Sequence, residues 1–83
     1  MHYVYVLKSQ VAPKVYVGET ADIPEERLAE HNSGSNTYSR KYKPWSLVSY
    51  IAVNTETEAL ALESYLKTGA GRAFISKYFA PKP

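Results

Sequence analysis

Five polar side chains of this sequence are of types that could do chemistry together. A guanidinium fork suits phosphate, a carboxylate suits a hard divalent cation, and a phenol acts as a base where nearby cations lower its pKa. The side chains are Tyr5, Tyr16, Arg27, His31 and Glu63.

The spacing of these residues favours a common location. Arg27 and His31 stand four positions apart, so they share one face of a helix, and Leu28 marks the neighbouring buried side. Glu63 follows Ala59 by four positions on a second helix, so it lies against the apolar stripe of that helix rather than opposite it. All five side chains could then meet over one face of a sheet.

Each of these residues also has an ordinary structural explanation. Tyrosines on strands are usually cross-strand aromatics. Arg27 could pair with Glu30 or another surface acid, and His31 near a helix C-terminus could complement the helix dipole. Glu63 could be a solvated acid. The joint placement, rather than any single residue, favours the functional interpretation.

The elements that position these residues begin with a hairpin, with strands predicted at 2–8 and 14–19. Pro13 cannot donate a ladder hydrogen bond, so it marks the end of the connecting loop. If facing residues sum to 21, the valines share one face of the sheet and the tyrosines share the other. This register predicts that Tyr5 lies directly opposite Tyr16.

Capping and stop signals predict the other elements. Asp22 followed by Glu25 is a helix start, Gly34 is a helix stop, and the run TETE is a capping box. In chain order the elements are a helix from Asp22 that ends at 32–34, a polar loop at 35–44, a strand at 45–53, a helix from 55–58 to about Lys67 that stops at Gly69, and a short helix at 71–79 ended by Pro81.

This order predicts an α+β fold in which a small three-stranded antiparallel sheet is flanked by helices. A chain of 83 residues is expected to form a single domain over 1–83 and to bury only about 60–65% of its unfolded surface. Ala59, Leu62 and Leu66 are predicted to form the core stripe of the second long helix.

Composition narrows the function classes. The chain has no cysteine, which excludes a disulfide framework and a thiolate zinc site, and no apolar run is long enough for a membrane span. These features predict a cytoplasmic protein with no membrane contact. The net charge is only +2, but basic and acidic blocks alternate along the chain. A solvated surface explains this simply, and a basic surface around an acidic site would suit nucleic acid.

Five segments cover nearly the whole chain in a recognisable order: YVY at 3–5, YVG at 16–18, GETADIPEERLAEHNSG at 18–34, YSRKYKPWSLV at 38–48 and EALALESYLKTGAGRAF at 58–74. Together they resemble the GIY-YIG nuclease family, especially its small single-domain bacterial members. The resemblance implies a three-stranded antiparallel sheet with flanking helices, which agrees with the elements above.

The resemblance also implies an activity, which is divalent-metal-dependent cleavage of phosphodiester bonds, mostly in DNA, with a role in DNA repair or recombination. In that family pattern Tyr16 acts as general base or proton relay, and Tyr5 positions the water or the phosphate. Arg27 stabilises charge on the phosphate, and His31 orients the tyrosine and water. The metal, Arg27 and a cationic His31 could lower the pKa of the tyrosine that acts as base. Glu63 binds one Mg²⁺ or Mn²⁺ ion.

Two further assignments accompany these roles. Gly18 is expected to be structural, and Glu19 adds an acid beside the site where some relatives carry a basic residue. The phosphate-contacting surface is predicted from acid-free segments that flank the site. It comprises Arg40, Lys41, Lys43, Lys67 and Arg72.

Three functions remain open at this point. The first is a metal-dependent endonuclease acting on DNA. The second is a non-catalytic nucleic-acid-binding or adaptor module, and the third is a nuclease subunit that needs a partner protein for DNA binding. The intact set of five polar residues favours a catalytic protein over an adaptor, because a decayed site would be expected to lose at least one of them.

Overall fold

The computed structural model describes residues 1–79 as an antiparallel sheet with helices on both faces, which confirms the predicted α+β class. Its strands are β1 (His2–Ser9), β2 (Val15–Thr20) and β3 (Trp45–Val53), in the spatial order β2-β1-β3. Its helices are α1 (Pro24–Ser33), α2 (Thr37–Arg40), α3 (Glu56–Leu66) and α4 (Gly69–Phe74), followed by a π-helical turn at Ile75–Phe79. The predicted stop at Pro81 lies outside the described residues.

The predicted faces of the hairpin are confirmed, but its predicted register is wrong by two residues. Tyr5 lies opposite Gly18, and Tyr16 lies opposite Leu7. A shift of two preserves which side chains share a face, because side chains alternate with a period of two. The predicted register would have placed Pro13, which has no N–H to donate, opposite Lys8 in the ladder.

The approach of Tyr5 to the neighbouring strand explains the observed register. A Cβ atom at Gly18 would lie 2.5 Å from the phenol oxygen of Tyr5 and 2.6 Å from its Cζ atom. Only a residue without a side chain allows the ring to lie over the strand in this way. Glycine at position 18 therefore leaves the room that the Tyr5 phenol occupies in this register.

Two hydrophobic clusters lie on opposite faces of the sheet. On the valine face, Val4, Val6 and Val17 pack with Ala59, Leu66 and Ile75. On the tyrosine face, Tyr5, Leu7 and Trp45 are buried together, with Tyr16, Leu28, Tyr42 and Leu47 packed against them. The predicted stripe of α3 is confirmed, because Ala59 and Leu66 are buried and Leu62 packs against them.

The start of α1 differs from its prediction. The N-cap is Ile23, without a side-chain cap, and Pro24 is the first helical residue. The backbone N–H of Asp22 donates to Thr20 Oγ1 at 2.9 Å, so Asp22 belongs to the turn that precedes the helix. Proline at the first position has no N–H to satisfy and already has a helical φ, which reduces the need for a polar cap.

The segment predicted as a polar loop contains the short helix α2. Asn36 is its N-cap, and the side chain of Asn36 accepts the backbone N–H of Ser39 at 3.0 Å. An Asn cap was therefore present in the sequence but was not recognised. This helix places Ser39 on the tyrosine face of the sheet, where it contacts His31 and Trp45.

The ends of α1 and α3 follow the sequence signals. Thr55 and Glu58 form the predicted capping box, in which each side chain accepts a backbone N–H of the other residue. Gly34 ends α1 with a φ of 86°, which glycine adopts without strain. These ends fix the positions of His31 and Glu63 along their helices. Within residues 1–79, no helix is both long enough and apolar enough to cross a lipid bilayer.

Close packing of α4 on the end of α3 gives a stability prediction. A Cβ atom at Gly71 would collide with the backbone carbonyl of Tyr65, whereas one at Gly69 would meet nothing within 4 Å. We expect Gly71→Ala to lower the free energy of unfolding by about 1–3 kcal/mol, because backbone cannot move aside cheaply. Gly69→Ala, the matched control, should leave it unchanged or slightly raised. Urea denaturation followed by circular dichroism compares the two, and equal stability would contradict the packing described here.

Candidate active site

A cavity of about 340 Å³ lies where β1, β2, α1 and α3 contribute side chains to one space. It is lined by all five of the polar residues singled out from the sequence. Gly18, Glu19, Glu30, Ser35 and Asn36 complete its lining. The fold therefore gathers residues that are up to 58 positions apart (from 5 to 63) into one location.

Glu63 enters this cavity from an unexpected direction. Its helix, α3, packs on the valine face of the sheet, whereas the tyrosines lie on the other face. Since β2 is an edge strand, a side chain from α3 can share a cavity with Tyr5 and Tyr16 there. The Glu63 side chain is 19% exposed, and its Oε2 accepts from Lys67 Nζ at 2.8 Å.

Tyr5 is the most buried member of the set, with 3% of its surface exposed. Burial raises the pKa of its phenol well above the ordinary value, and the Tyr16 phenol raises that pKa further. Arg27 opposes these effects but does not outweigh them. Tyr5 is therefore a neutral phenol at physiological pH, so it can donate a hydrogen bond but cannot serve as a base.

A hydrogen-bonded chain connects the sheet to α1 and α2. The Tyr5 phenol oxygen lies 3.0 Å from His31 Nε2, and His31 Nδ1 lies 2.8 Å from Ser39 Oγ. Ser39 is fully buried, and its carbonyl accepts from Trp45 Nε1 at 2.8 Å. Ser39 was missed by the sequence reasoning, and the unrecognised Asn36 cap was the signal that could have placed it.

His31 is buried, and its charge state differs from the expectation. Burial lowers the pKa of its imidazole below the ordinary value, and the positive charge of Arg27 lowers it further, while Glu30 opposes this. The expectation of a cationic His31 was therefore wrong, because the sequence could not show how deeply this side chain is buried. Two neutral tautomers satisfy its contacts, and they differ in whether Tyr5 donates to Nε2 or accepts from it.

Arg27 is held by two partners at the cavity. Its Nη1 donates to Glu30 Oε1 at 2.7 Å, and its Nε donates to Thr20 Oγ1 at 3.2 Å. The hydrogen bond to Glu30 raises the pKa of Arg27, so the guanidinium stays charged. Thr20 was missed by the sequence reasoning. The Arg27–Glu30 pair is largely exposed and so contributes little stability, about 0–1 kcal/mol, which leaves Arg27 available to an incoming anion.

The five basic residues predicted to contact phosphate do not form one surface group. Arg40 and Lys43 lie near Gly34 at the C-terminal end of α1, and Lys41 is the exposed C-cap of α2. Lys67 and Arg72 instead line a second cavity beside β2. The structure thus divides the set between two places.

One further group of potential metal-binding side chains occurs within residues 1–79. Ligand atoms of His2, Glu19 and Glu56 lie within 4.8 Å of one another. Glu19 Oε2 is buried without a hydrogen-bond partner and lies 4.0 Å from His2 Nε2. Because Glu19 also lines the tyrosine cavity, the carboxylates near that cavity offer two alternative places for a cation.

Comparison with known proteins decides the family. The model of the GIY-YIG catalytic domain matches residues 1–78. The chain belongs to the GIY-YIG family. It is also similar to the UPF0213 protein of Cupriavidus necator, with 33% identity over 98% of this chain and 90% of the relative. A UPF0213 protein of Streptococcus pyogenes is 34% identical over 94% of this chain and 84% of the relative.

No solved structure matches this chain significantly. The family match confirms the resemblance drawn from the motifs, and it supports a nuclease-type function for a GIY-YIG domain. The relatives' names state neither a substrate nor a metal, so the site roles inferred for this GIY-YIG chain stay predictions.

The environment of His31 gives a prediction about pH. Its pKa in the folded chain lies below the ordinary value of ~6.5, to which the imidazole returns on unfolding. Between those two pKa values the unfolded chain binds more protons, so His31 should make stability fall as pH drops through that window. Proton NMR titration should give a pKa below ~6.5 that rises in Arg27→Gln and is unchanged in the control Arg72→Gln. A wild-type pKa at or above ~6.5 would contradict the burial of His31.

Proposed function

We propose that this GIY-YIG chain is a metal-dependent endonuclease that hydrolyses phosphodiester bonds in DNA. The observation that carries the proposal is the convergence of Tyr5, Tyr16, Arg27, His31 and Glu63 on a single cavity. The family match supports catalysis of this kind, because the matched model is that of a catalytic domain. A role in repair or recombination and a cytoplasmic location belong to the same proposal and rest on the sequence.

In this proposal, Arg27 and Tyr5 bind the phosphate. Thr20 orients the guanidinium through Nε, and an anion can replace Glu30 at Nη1 without a large loss of stability. A guanidinium binds phosphate oxygens through two parallel hydrogen bonds, which positions the group as well as attracting it. The neutral phenol of Tyr5 can donate to the phosphate or to the water when its His31 partner is protonated at Nε2.

We assign proton transfer to Tyr16, which His31 orients. The oxygen of the attacking water bonds to the phosphorus as the bond from phosphorus to the leaving oxygen breaks. Tyr16 accepts the proton of the water while it passes its own phenol proton to solvent, and the leaving oxygen takes up a proton from solvent. The ring of Tyr16 lies 4.5 Å from that of His31, centroid to centroid, so the imidazole packs beside Tyr16 and helps to orient it. Ser39 holds His31 Nδ1, so the ring is already oriented before substrate arrives.

The residues present fit a divalent cation at Glu63. A half-buried carboxylate is the donor that Mg²⁺ and Mn²⁺ prefer, and its only described ion-pair partner is the largely exposed Lys67, which can move aside. A cation bound there would offset the charge of the phosphate and stabilise the leaving oxygen.

A charge-neutral substitution tests the role of Glu63. We expect Glu63→Gln to abolish metal-dependent cleavage and to change the free energy of unfolding by less than about 0.5 kcal/mol, because the lost ion pair is exposed on the lysine side. Cleavage of labelled single-stranded, duplex and branched DNA with Mg²⁺ or Mn²⁺ gives the activity, and a thermal melt gives the stability.

The control for this test is Glu56→Gln on the same helix. Glu56 belongs to the cluster with His2 and Glu19, so it competes directly as a metal ligand. Loss of cleavage in Glu56→Gln with activity retained in Glu63→Gln would move the metal to that cluster. DNA binding by the wild type without cleavage of any substrate would favour the adaptor function, or a subunit that requires a partner protein.

Salt dependence distinguishes the two groups of basic residues. Each lost phosphate contact should reduce the slope of log affinity against log salt by about 0.7–0.9. We expect Lys41→Gln with Lys43→Gln, and separately Lys67→Gln with Arg72→Gln, to flatten this slope for every DNA sequence. Fluorescence anisotropy without divalent metal measures it, and a pair whose removal leaves the slope unchanged does not contact the backbone.

A further inference from the structure

A second, larger cavity of about 650 Å³ lies beside the edge strand β2. Its apolar part comes from Val15 of β2, Leu66 of α3 and Ile75 of the π-helical turn. Tyr16 and Tyr38 add aromatic surface. Of the five residues given catalytic or metal-binding roles above, Tyr16 alone lines this cavity. The proposed chemistry therefore does not account for the rest of its lining.

The charge of the second cavity has one sign. Among the described residues that line it, four carry positive charge and none is acidic. They come from β1, the loop before β2, the end of α3 and α4, so the arrangement is not a run of neighbouring residues in sequence. The cations are Lys8, Lys14, Lys67 and Arg72. A ligand with an apolar, flat portion and attached negative charges matches such a lining.

Tyr38 is placed to stack against such a ligand. Its side chain is 49% exposed, and its ring packs against those of Tyr16 at 6.2 Å and Tyr42 at 5.5 Å, measured between ring centroids. An exposed aromatic ring whose motion neighbouring rings already restrict loses less conformational entropy when a base stacks on it. Single-stranded nucleic acids are commonly held by this combination of aromatic stacking and cationic grooves.

The two cavities adjoin each other. Tyr16 lines both of them, and the ion pair between Glu63 and Lys67 joins a residue of the first cavity to a residue of the second. A strand with its scissile phosphate at Arg27 would therefore have a neighbouring nucleotide at Tyr38. Bases of an intact duplex are stacked and paired, so they cannot enter a cavity of this kind without being unpaired.

We propose that the second cavity binds an unpaired nucleotide of the substrate strand, next to the scissile phosphate, with its base on Tyr38 and its phosphates on the surrounding cations. This inference rests on the proposed nuclease function for the identity of the strand. The size of the cavity suits a ligand of one or two nucleotides. Tyr38 is thereby a determinant of preference for unpaired over paired DNA.

The test uses the whole chain with short oligonucleotides that carry a fluorescent adenine analogue, in buffer with a metal chelator so that no strand is cut. The analogue is quenched when it stacks on an aromatic ring. We expect quenching in a single strand and in a junction with an unpaired position, and loss of quenching with about tenfold weaker binding in Tyr38→Ala. Binding to a fully paired duplex should not change in that variant.

Two further variants guard against misfolding and non-specific effects. Tyr50→Ala is the matched control, because Tyr50 is a similarly exposed tyrosine that packs on Tyr3 and lines neither cavity. Arg72→Gln should weaken single-strand binding through the second cavity without removing a packed ring. A free mononucleotide that is bound as tightly as the oligonucleotide would overturn the assignment to a substrate strand.

Failure of this inference and failure of the nuclease function give different results. If the wild type cleaves DNA with metal but Tyr38→Ala and Tyr50→Ala bind single strands equally, the nucleotide cavity is wrong and the nuclease function stands. If the analogue is quenched through Tyr38 but no substrate is cut with Mg²⁺ or Mn²⁺, the cavity stands and the nuclease function falls. Equal affinity of the wild type for paired and unpaired DNA would also overturn the inference.

Discussion

The candidate site depends on the close approach of one buried phenol to a glycine. Tyr5 lies over Gly18 at a distance that excludes any side chain there, and this fixes the phenol against His31. A buried hydroxyl needs a hydrogen-bond partner, so the contact ties the sheet to α1. Ser39 extends the connection to α2, and the carbonyl of Ser39 in turn receives the Trp45 indole of the tyrosine-face core. The contacts that position the site residues on this face are therefore also contacts of its hydrophobic core.

A small sheet with helices on both faces gives this chain an active-site cavity at its edge. With only three strands, β2 has a free edge, and residues from the two helical layers can share a cavity there. A wider sheet would separate Glu63 from the tyrosines. The small size of the chain also limits its stability, because a chain of this length buries a modest fraction of its surface on folding. Contacts such as that of Gly71 with the end of α3, where no Cβ would fit, therefore matter to the fold.

The charged groups of the cavity are held by partners that can be exchanged. Arg27 pairs with Glu30 and Glu63 pairs with Lys67, and both pairs are open to solvent on at least one side. Exposed pairs of this type contribute little to stability, so a phosphate or a cation can replace a partner at small cost. His31 differs, because it is buried and neutral and keeps fixed partners on both ring nitrogens. The neutral His31 with its fixed partners thus orients the neighbouring side chains, whereas the charged Arg27 and Glu63 can exchange their partners for a ligand.

The sequence by itself determined the three strands, the two long helices, the α+β class, the two faces of the hairpin, the capping box of α3 and five polar residues that line the first cavity. These follow from local signals, namely period-two alternation, capping residues and motif spacing, which do not depend on distant contacts. Only the tertiary structure decided the register, because a shift of two residues keeps every side chain on its face and the choice rests on Tyr5 meeting Gly18. Tertiary contacts also decided the neutral state of His31, the partnership with Ser39 and the side from which Glu63 enters. Burial and neighbouring charges control these properties, and they arise from residues far apart in the chain.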